Sequence, residues 1–254
     1  MGLKLHVSLC FHASQQQKIS LPDWVSQIGE TEPSIYFTDR FGRNSKDCLS
    51  LAIDEVPILN GKSPVQVYRE FSERFKSVFS PFMGSTITGI TIGLGPDGEL
   101  CYPSCHHAAK PTGLTGVSEF QCYDKYMLQN LKEHAELAGC PLWGLGGPHD
   151  VPDHNEPPSM SNFFKNEGGS WETPYDDFFL SCYSGQLLSH GACILSLASN
   201  VFHDVPVSIS GKLSLKHTWY QTQSHPSELT AGFYKTAKRD GYEAVVEMFA
   251  NNSC

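Results

Sequence analysis

Glu99 is the residue whose surroundings best suit it for chemistry. It closes the run Gly89-Ile-Thr-Ile-Gly-Leu-Gly-Pro-Asp-Gly-Glu99 and is followed by Leu100-Cys-Tyr-Pro103. The segment Thr86–Ile92 is dense in β-branched residues and predicts a buried strand. Gly93, Gly95, Pro96 and Gly98 end that strand in a loop where backbone can approach a ligand closely. A carboxyl group just past the C-terminal end of a strand stands where α/β barrels keep their catalytic groups. Taken alone, a loop carboxylate of this kind is ordinary solvated surface. A second cluster follows at once: Cys101-Tyr-Pro-Ser-Cys105-His106-His107 brings two cysteines and two histidines together, the donor types of a zinc site. Its spacing matches no standard ligand pairing, and adjacent histidines rarely reach one tetrahedral ion. No metal is expected there, and no cofactor elsewhere.

The elements needed to hold such a loop are legible in the flanking sequence. Leu3, Leu5, Val7 and Leu9 alternate with Lys4, His6 and Ser8, a strand pattern ending in Phe11-His12. Pro22–Ile28 reads as a short helix closed by Gly29. Ser63-Pro64 opens a helix whose Tyr68, Phe71, Phe75 and Val78 fall on one face, expected to lie against a sheet, with Pro81 ending it. Asp124 caps a helix through Leu128, Leu131, Ala135 and Ala138, closed by Gly139. Pro141–Leu145 reads as a short buried strand. The Gly- and Pro-rich run from Gly146 to Ser170 is a long loop, a length that usually carries function or disorder. Thr173-Pro174 opens a long helix through Ala198. Pro206–Leu215 is extended, and Tyr242–Phe249 is helical. Strand and helix alternate about four times, the pattern of a parallel α/β sheet.

Composition narrows the partners. With 254 residues, 40% of them hydrophobic, the chain can bury a core as one domain, residues 1–254. A net charge of -9 argues against a nucleic-acid backbone or an anionic membrane as partner and is indifferent to a neutral glycan. No run is apolar enough to span a bilayer. The start, Met1–His6, lacks the apolar region of a signal peptide, and His6 stands where myristoylation wants Ser or Thr. Nine scattered cysteines fit small thiols in a reducing compartment better than a disulfide framework.

The run Gly93–Ser104 resembles the segment that carries the general acid in the β-amylase family, inverting glycoside hydrolases that act on starch. Phe37-Thr-Asp-Arg40 with Gly42-Arg-Asn44, Glu119-Phe-Gln-Cys-Tyr-Asp124 and Ser227-Glu-Leu-Thr-Ala-Gly232 resemble further family segments, in the family's order. The resemblance implies an α/β fold of the (β/α)8 TIM barrel type, here an incomplete barrel supplying about the middle strands, hence a fragment or truncated gene product. Two open sheet edges would follow. It also implies a plastid stroma location, although no targeting segment is read in the chain.

By the same resemblance Glu99 matches the general acid, and His12, Lys212 and His217 match residues that contact glucose hydroxyls. Lys212 and His217, five residues apart at the end of an extended strand, could reach one pocket; the plainer reading is a surface lysine and a core histidine. Trp219 and Tyr220 offer either sugar-stacking faces or core. Glu119 and Glu228 do not match the family's base and are expected to be structural. Two departures weigh against catalysis and a third puts part of the sugar platform in doubt. Ala13–Lys18 replaces a glycine-rich lid, Cys101 stands where active relatives carry Arg, and His-Thr-Trp replaces His-Trp-Trp. Inversion needs two carboxyl groups roughly 6.5–9.5 Å apart, and the matching base is not found. Two functions therefore remain: a non-catalytic relative that binds α-1,4-glucan or maltose weakly, or a protein partner in starch metabolism; and an active fragment releasing β-maltose with Glu99 as acid.

Overall fold

The computed structural model describes residues 2–14, 19–103, 117, 119–153, 156–214 and 222–252. In chain order the elements are β1 (Leu5–Leu9), α1 (Asp23–Thr31), β2 (Tyr36–Thr38), β3 (Asn44–Leu49), α2 (Pro64–Val78) and β4 (Ile87–Ile92). They continue with β5 (Glu99–Leu100), α3 (Lys125–Leu137), α4 (Pro174–Phe202), β6 (Ser208–Leu213), α5 (Pro226–Ala231) and α6 (Glu243–Asn251), with short 3-10 turns between. One sheet has the order β1-β4-β6-β5 with every pair parallel, and β2 and β3 form a separate antiparallel hairpin. The parallel α/β alternation expected from the sequence is present.

Three helices, α2, α3 and α4, start where capping chemistry directs. Ser63 accepts from the Gln66 N–H while the Gln66 side chain accepts from the Ser63 N–H, a reciprocal box. Asp124 accepts from the Tyr126 and Met127 amides at 3.1 and 3.0 Å, and Thr173 accepts from Asp176 at 3.2 Å. Gly139, with φ +73, supplies the left-handed residue that ends α3.

Strand register divides the sheet into two unlike faces. Partners His6↔Gly89, Ser8↔Thr91, Gly89↔Ser208 and Thr91↔Ser210 share one face, which is polar or small throughout. Its middle is hydrogen-bonded across three strands: His6 Nε2 lies 2.8 Å from Thr91 Oγ1, which lies 3.0 Å from Ser210 Oγ. The opposite face, with Leu9, Ile90 and Ile92, joins the main core beneath α4. A smaller core of Val25, Ile35, Tyr36, Leu49, Ile53 and Leu59 binds α1 to the hairpin.

Several expectations are corrected. Pro141–Leu145 is not a strand but a 3-10 turn on α3. Pro141 has no N–H for a ladder, and Leu142 and Leu145 are 76% and 81% exposed. The helix α2 packs chiefly on α4 rather than on the sheet, and Lys76 ties it there through the Val201 carbonyl at 2.8 Å and Asp204. Phe71 and Val78 are exposed. In β1 a bulge between Leu5 and His6 breaks the simple alternation, and Leu3 and Leu5 are exposed. Within the long loop Gly146–Ser170, Asp150 holds Asn162 at 3.1 Å and Ser170, and Phe163 and Phe164 are buried.

The helix α1 runs past Gly29 to Thr31 because Gly29 is needed for packing, not for a stop. A Cβ there would lie 2.3 Å from the ring of Tyr36, which is buried. Gly29→Ala is therefore expected to carry an overpacking cost of about 1–3 kcal/mol, offset by at most about 1 kcal/mol of helix propensity. A fall in the urea midpoint checks this; an unchanged or raised midpoint contradicts it.

Candidate functional site

Backbone pairing brings the carboxylate and the lysine together. Ile92 of β4 is the last residue paired before the loop, opposite Gly211, and pairing with β6 resumes at Glu99 opposite Lys212 and Leu100 opposite Leu213. Residues Gly93–Gly98 form a loop between. The Gly93 amide donates to the Leu9 carbonyl at 2.8 Å, fixing the loop's start to β1. Leu94 N–H donates to Gly98 O at 3.3 Å and Gly98 N–H to Gly95 O at 2.9 Å, closing the turn. Asp97 and Gly98 both take left-handed backbone, φ 54 and 79. Asp is among the few side chains that tolerate this conformation.

Around this loop lies a cavity of about 90 Å³, lined by Ser8, Leu9, Cys10, His12, Thr91, Gly93, Asp97, Gly98 and Lys212. That volume admits several water-sized groups. His12 follows β1 and is only 4% exposed, and among the described residues neither ring nitrogen has a hydrogen-bond partner. A Cβ on Gly98 would sit 3.3 Å from His12 Cε1 and 3.9 Å from Lys212 Cδ, so the glycine lets the imidazole and the lysine stem come close. Burial holds the His12 pKa below its ordinary value; Lys212 adds to this, and Asp97 and Asp47 oppose it. A neutral imidazole offers one donor and one acceptor, the pair a hydroxyl group can use at once. Ser14 donates to Asp97 Oδ1 at 3.2 Å on the same loop.

The loop is fastened to α4 from below. His190 Nδ1 lies 2.7 Å from Asp54 Oδ2, and its Nε2 lies 3.0 Å from the Leu94 carbonyl. A Cβ on Gly191 would be 3.2 Å from Leu100 Cδ1, so α4 and β5 nearly touch. Tyr102 stacks on Tyr183 at 3.8 Å between ring centroids and donates its hydroxyl to the Tyr183 carbonyl at 3.0 Å.

Of the four residues singled out in the sequence, His12 and Lys212 line one cavity and Glu99 pairs with Lys212 at its edge. His217 lies outside the described residues, as do Trp219, Tyr220 and Gln15–Lys18. So do Cys105, His106 and His107; Cys101 is buried. Among the described residues no group of three potential metal ligands occurs, and the described cysteines are free. Asp97, Asp54 and His190 were missed. Asp97 stood inside the loop motif, and His190 falls on the apolar stripe Leu187–His190–Gly191–Ile194, where a polar ring must find partners.

Two other carboxylates are buried away from the cavity lining. Glu119 Oε2 meets Arg40 Nε at 3.0 Å and Oε1 lies 3.9 Å from Arg43, while Arg40 also donates to the His149 carbonyl at 2.7 Å. Burial pushes the Glu119 pKa up to about 7 against the pull of these arginines. Glu228 in α5 is buried with His225 Nδ1 at 3.5 Å, and burial raises its pKa as well.

A family model described as Glycosyl hydrolase family 14 matches residues 1–254. This chain belongs to that family. Inactive beta-amylase 9 of Arabidopsis thaliana is 60% identical over 254 residues, covering 100% of this chain and 47% of that protein. Beta-amylase 2, chloroplastic, of Oryza sativa subsp. japonica is 44% identical over 257 residues, covering 99% and 46%. The crystal structure of the catalytic domain of beta-amylase from Paenibacillus polymyxa superposes with a TM-score of 0.74 at 24% identity, covering 99% of this chain and 59% of that one. That likeness shows the fold: the parallel sheet is a half-barrel. The family 14 chain described here spans about half the length of the curated relatives it matches.

The buried acid of Glu119 gives a pH dependence with a definite sign. Its folded pKa, about 7, exceeds the ordinary 4.5, so the folded state holds the extra proton between these values and stability falls as pH rises through them. Asp124 and Asp176, each raised to about 6 by burial, act in the same direction. Glu119→Gln is expected to lose about 2 kcal/mol less than the parent between about pH 5 and about pH 7.5. Urea unfolding of both proteins at the two pH values checks this; parallel losses contradict it.

Proposed function

We propose that this chain is a non-catalytic member of the β-amylase family that binds α-1,4-glucan weakly through His12, Lys212 and Glu99. By resemblance His217 joins them. The observation that carries the reading is the buried imidazole of His12, unpartnered among the described residues, facing the cavity beside Lys212. A polar ring left without partners in a buried site calls for a ligand or water that supplies them.

Several observations support a binding role over turnover. Ser14 and Ile19 exchange backbone hydrogen bonds at 2.9 and 3.0 Å, so only residues 15–18 connect them. By resemblance those residues stand where the family carries a longer glycine-rich lid. A lid excludes water and completes a site. The carboxylates nearest Lys212 in sequence pairing and cavity lining are Glu99 and Asp97, two residues apart on one loop. An inverting pair must face each other across the scissile bond. The Arabidopsis relative at 60% identity is itself called inactive. The chloroplastic relatives support a plastid setting, and the family supports a role in starch metabolism.

One observation favours the active alternative: Glu99 is retained at the strand end directly opposite Lys212. Assay separates the two. The purified chain is expected to release no β-maltose from soluble starch beyond a Glu99→Gln control; release above that control establishes the active reading.

Binding is expected to be weak. In an open site each hydrogen bond to a hydroxyl replaces one to water and contributes only about 0.5–1.5 kcal/mol. A few such bonds, less the cost of ordering the ligand, give a Kd on the order of 1 mM for maltotriose. Calorimetric titration should show this binding weakened several-fold by Lys212→Ala. Micromolar binding unaffected by that substitution places the glucan site elsewhere.

A further inference from the structure

We propose that His190 is a positioning residue that holds the Glu99 loop in its binding conformation by donating from both ring nitrogens at once, an inference that rests on the glucan site proposed above. The Leu94 carbonyl can only accept, and so can an ionised Asp54 carboxylate. With contacts of 3.0 Å at Nε2 and 2.7 Å at Nδ1, both nitrogens must carry protons for both bonds to exist. The ring is therefore an imidazolium buried beside a carboxylate, on the core face of α4.

Its position gives it leverage over the site. Leu94 sits two residues beyond Ile92, and its amide closes the loop turn onto Gly98, one residue before Glu99. Asp54 follows the 3-10 turn Leu51–Ile53, so one side chain links that turn, α4 and the loop. When the ring loses a proton, one bond must fail. Loss at Nε2 turns a lone pair toward the Leu94 oxygen; loss at Nδ1 turns one toward Asp54. Either arrangement sets two acceptors face to face.

The surroundings favour the charged ring. Asp54 is its direct partner; Tyr68 of α2 and Tyr102 also feel the Asp54 charge and stay neutral. Cys193, one helical step along α4, lies 3.8 Å from Glu55 and feels Arg69 as the nearby positive charge. Burial lowers the His190 pKa and Asp54 raises it, with the net shift upward. The contribution of this contact is thus complete below the ordinary histidine pKa and is lost as pH rises through the shifted value.

Nuclear magnetic resonance on the whole chain tests this. At about pH 6, below the ordinary histidine value, both His190 nitrogens should show imidazolium nitrogen shifts. Asp54→Asn should lower the titration midpoint. Where His190 deprotonates, in the parent and in the variant, the Leu94 and Gly98 amides should exchange about tenfold faster than intrinsic pH effects require, while Leu131 in α3 keeps its protection. Maltotriose affinity should fall over the same pH range. A neutral ring at about pH 6 overturns the proposal. So does loop protection that ignores the titration, or maltotriose affinity that stays constant while the loop opens. If the parent binds no maltotriose at any pH, the glucan reading fails by itself, and the nitrogen shifts and loop exchange still decide whether His190 positions the loop.

Discussion

Backbone pairing places Glu99 opposite Lys212. The β4 pairing with β6 stops at Ile92 opposite Gly211 and resumes with Glu99 opposite the very next residue of β6, Lys212. Six residues, Gly93–Gly98, are folded out within that one step, in a turn with left-handed backbone at Asp97 and Gly98. The same turn removes side-chain bulk where the His12 ring and the Lys212 stem converge. Any substitution that shifts this register by one residue would move Glu99 to the opposite face of the sheet.

The two faces of the sheet explain why the site lies where it does. One face is apolar and covered by α4, whose close approach at Gly191 and stacked Tyr183 grip the segment from Leu94 to Tyr102. The other is polar along its length and leads from His6 and Ser210 toward the cavity. A loop gripped from its apolar side is free to present polar groups on the other. The cost is a set of polar groups with few protein partners, of which His12 is the clearest case.

Much of this was legible in the sequence, and the misses have physical causes. The caps at Ser63, Asp124 and Thr173 act within four residues, so local sequence determines them. The strand Ile87–Ile92 declared itself through β-branched residues. Pro141–Leu145 was misread because an apolar run looks alike in a strand and in a turn, and only tertiary contact with α3 decides between them. Gly29 was read as a helix stop because its partner, the Tyr36 ring, is brought in by a different element. Glu99 was recognised through resemblance rather than local pattern, and its neighbour Asp97 was passed over because a turn residue carries no periodic signal. The role of His190 depended on Asp54, 136 residues away in sequence, which no periodicity reveals.

The account stands on His12 and Lys212 offering their polar atoms to a sugar from one cavity. A crystal structure of this chain soaked with maltotriose tests it most directly. The account predicts a glucose unit in the cavity beside Gly98, with hydroxyls within hydrogen-bond distance of a His12 ring nitrogen and of Lys212 Nζ. A sugar bound on another surface, with His12 and Lys212 untouched, would contradict it.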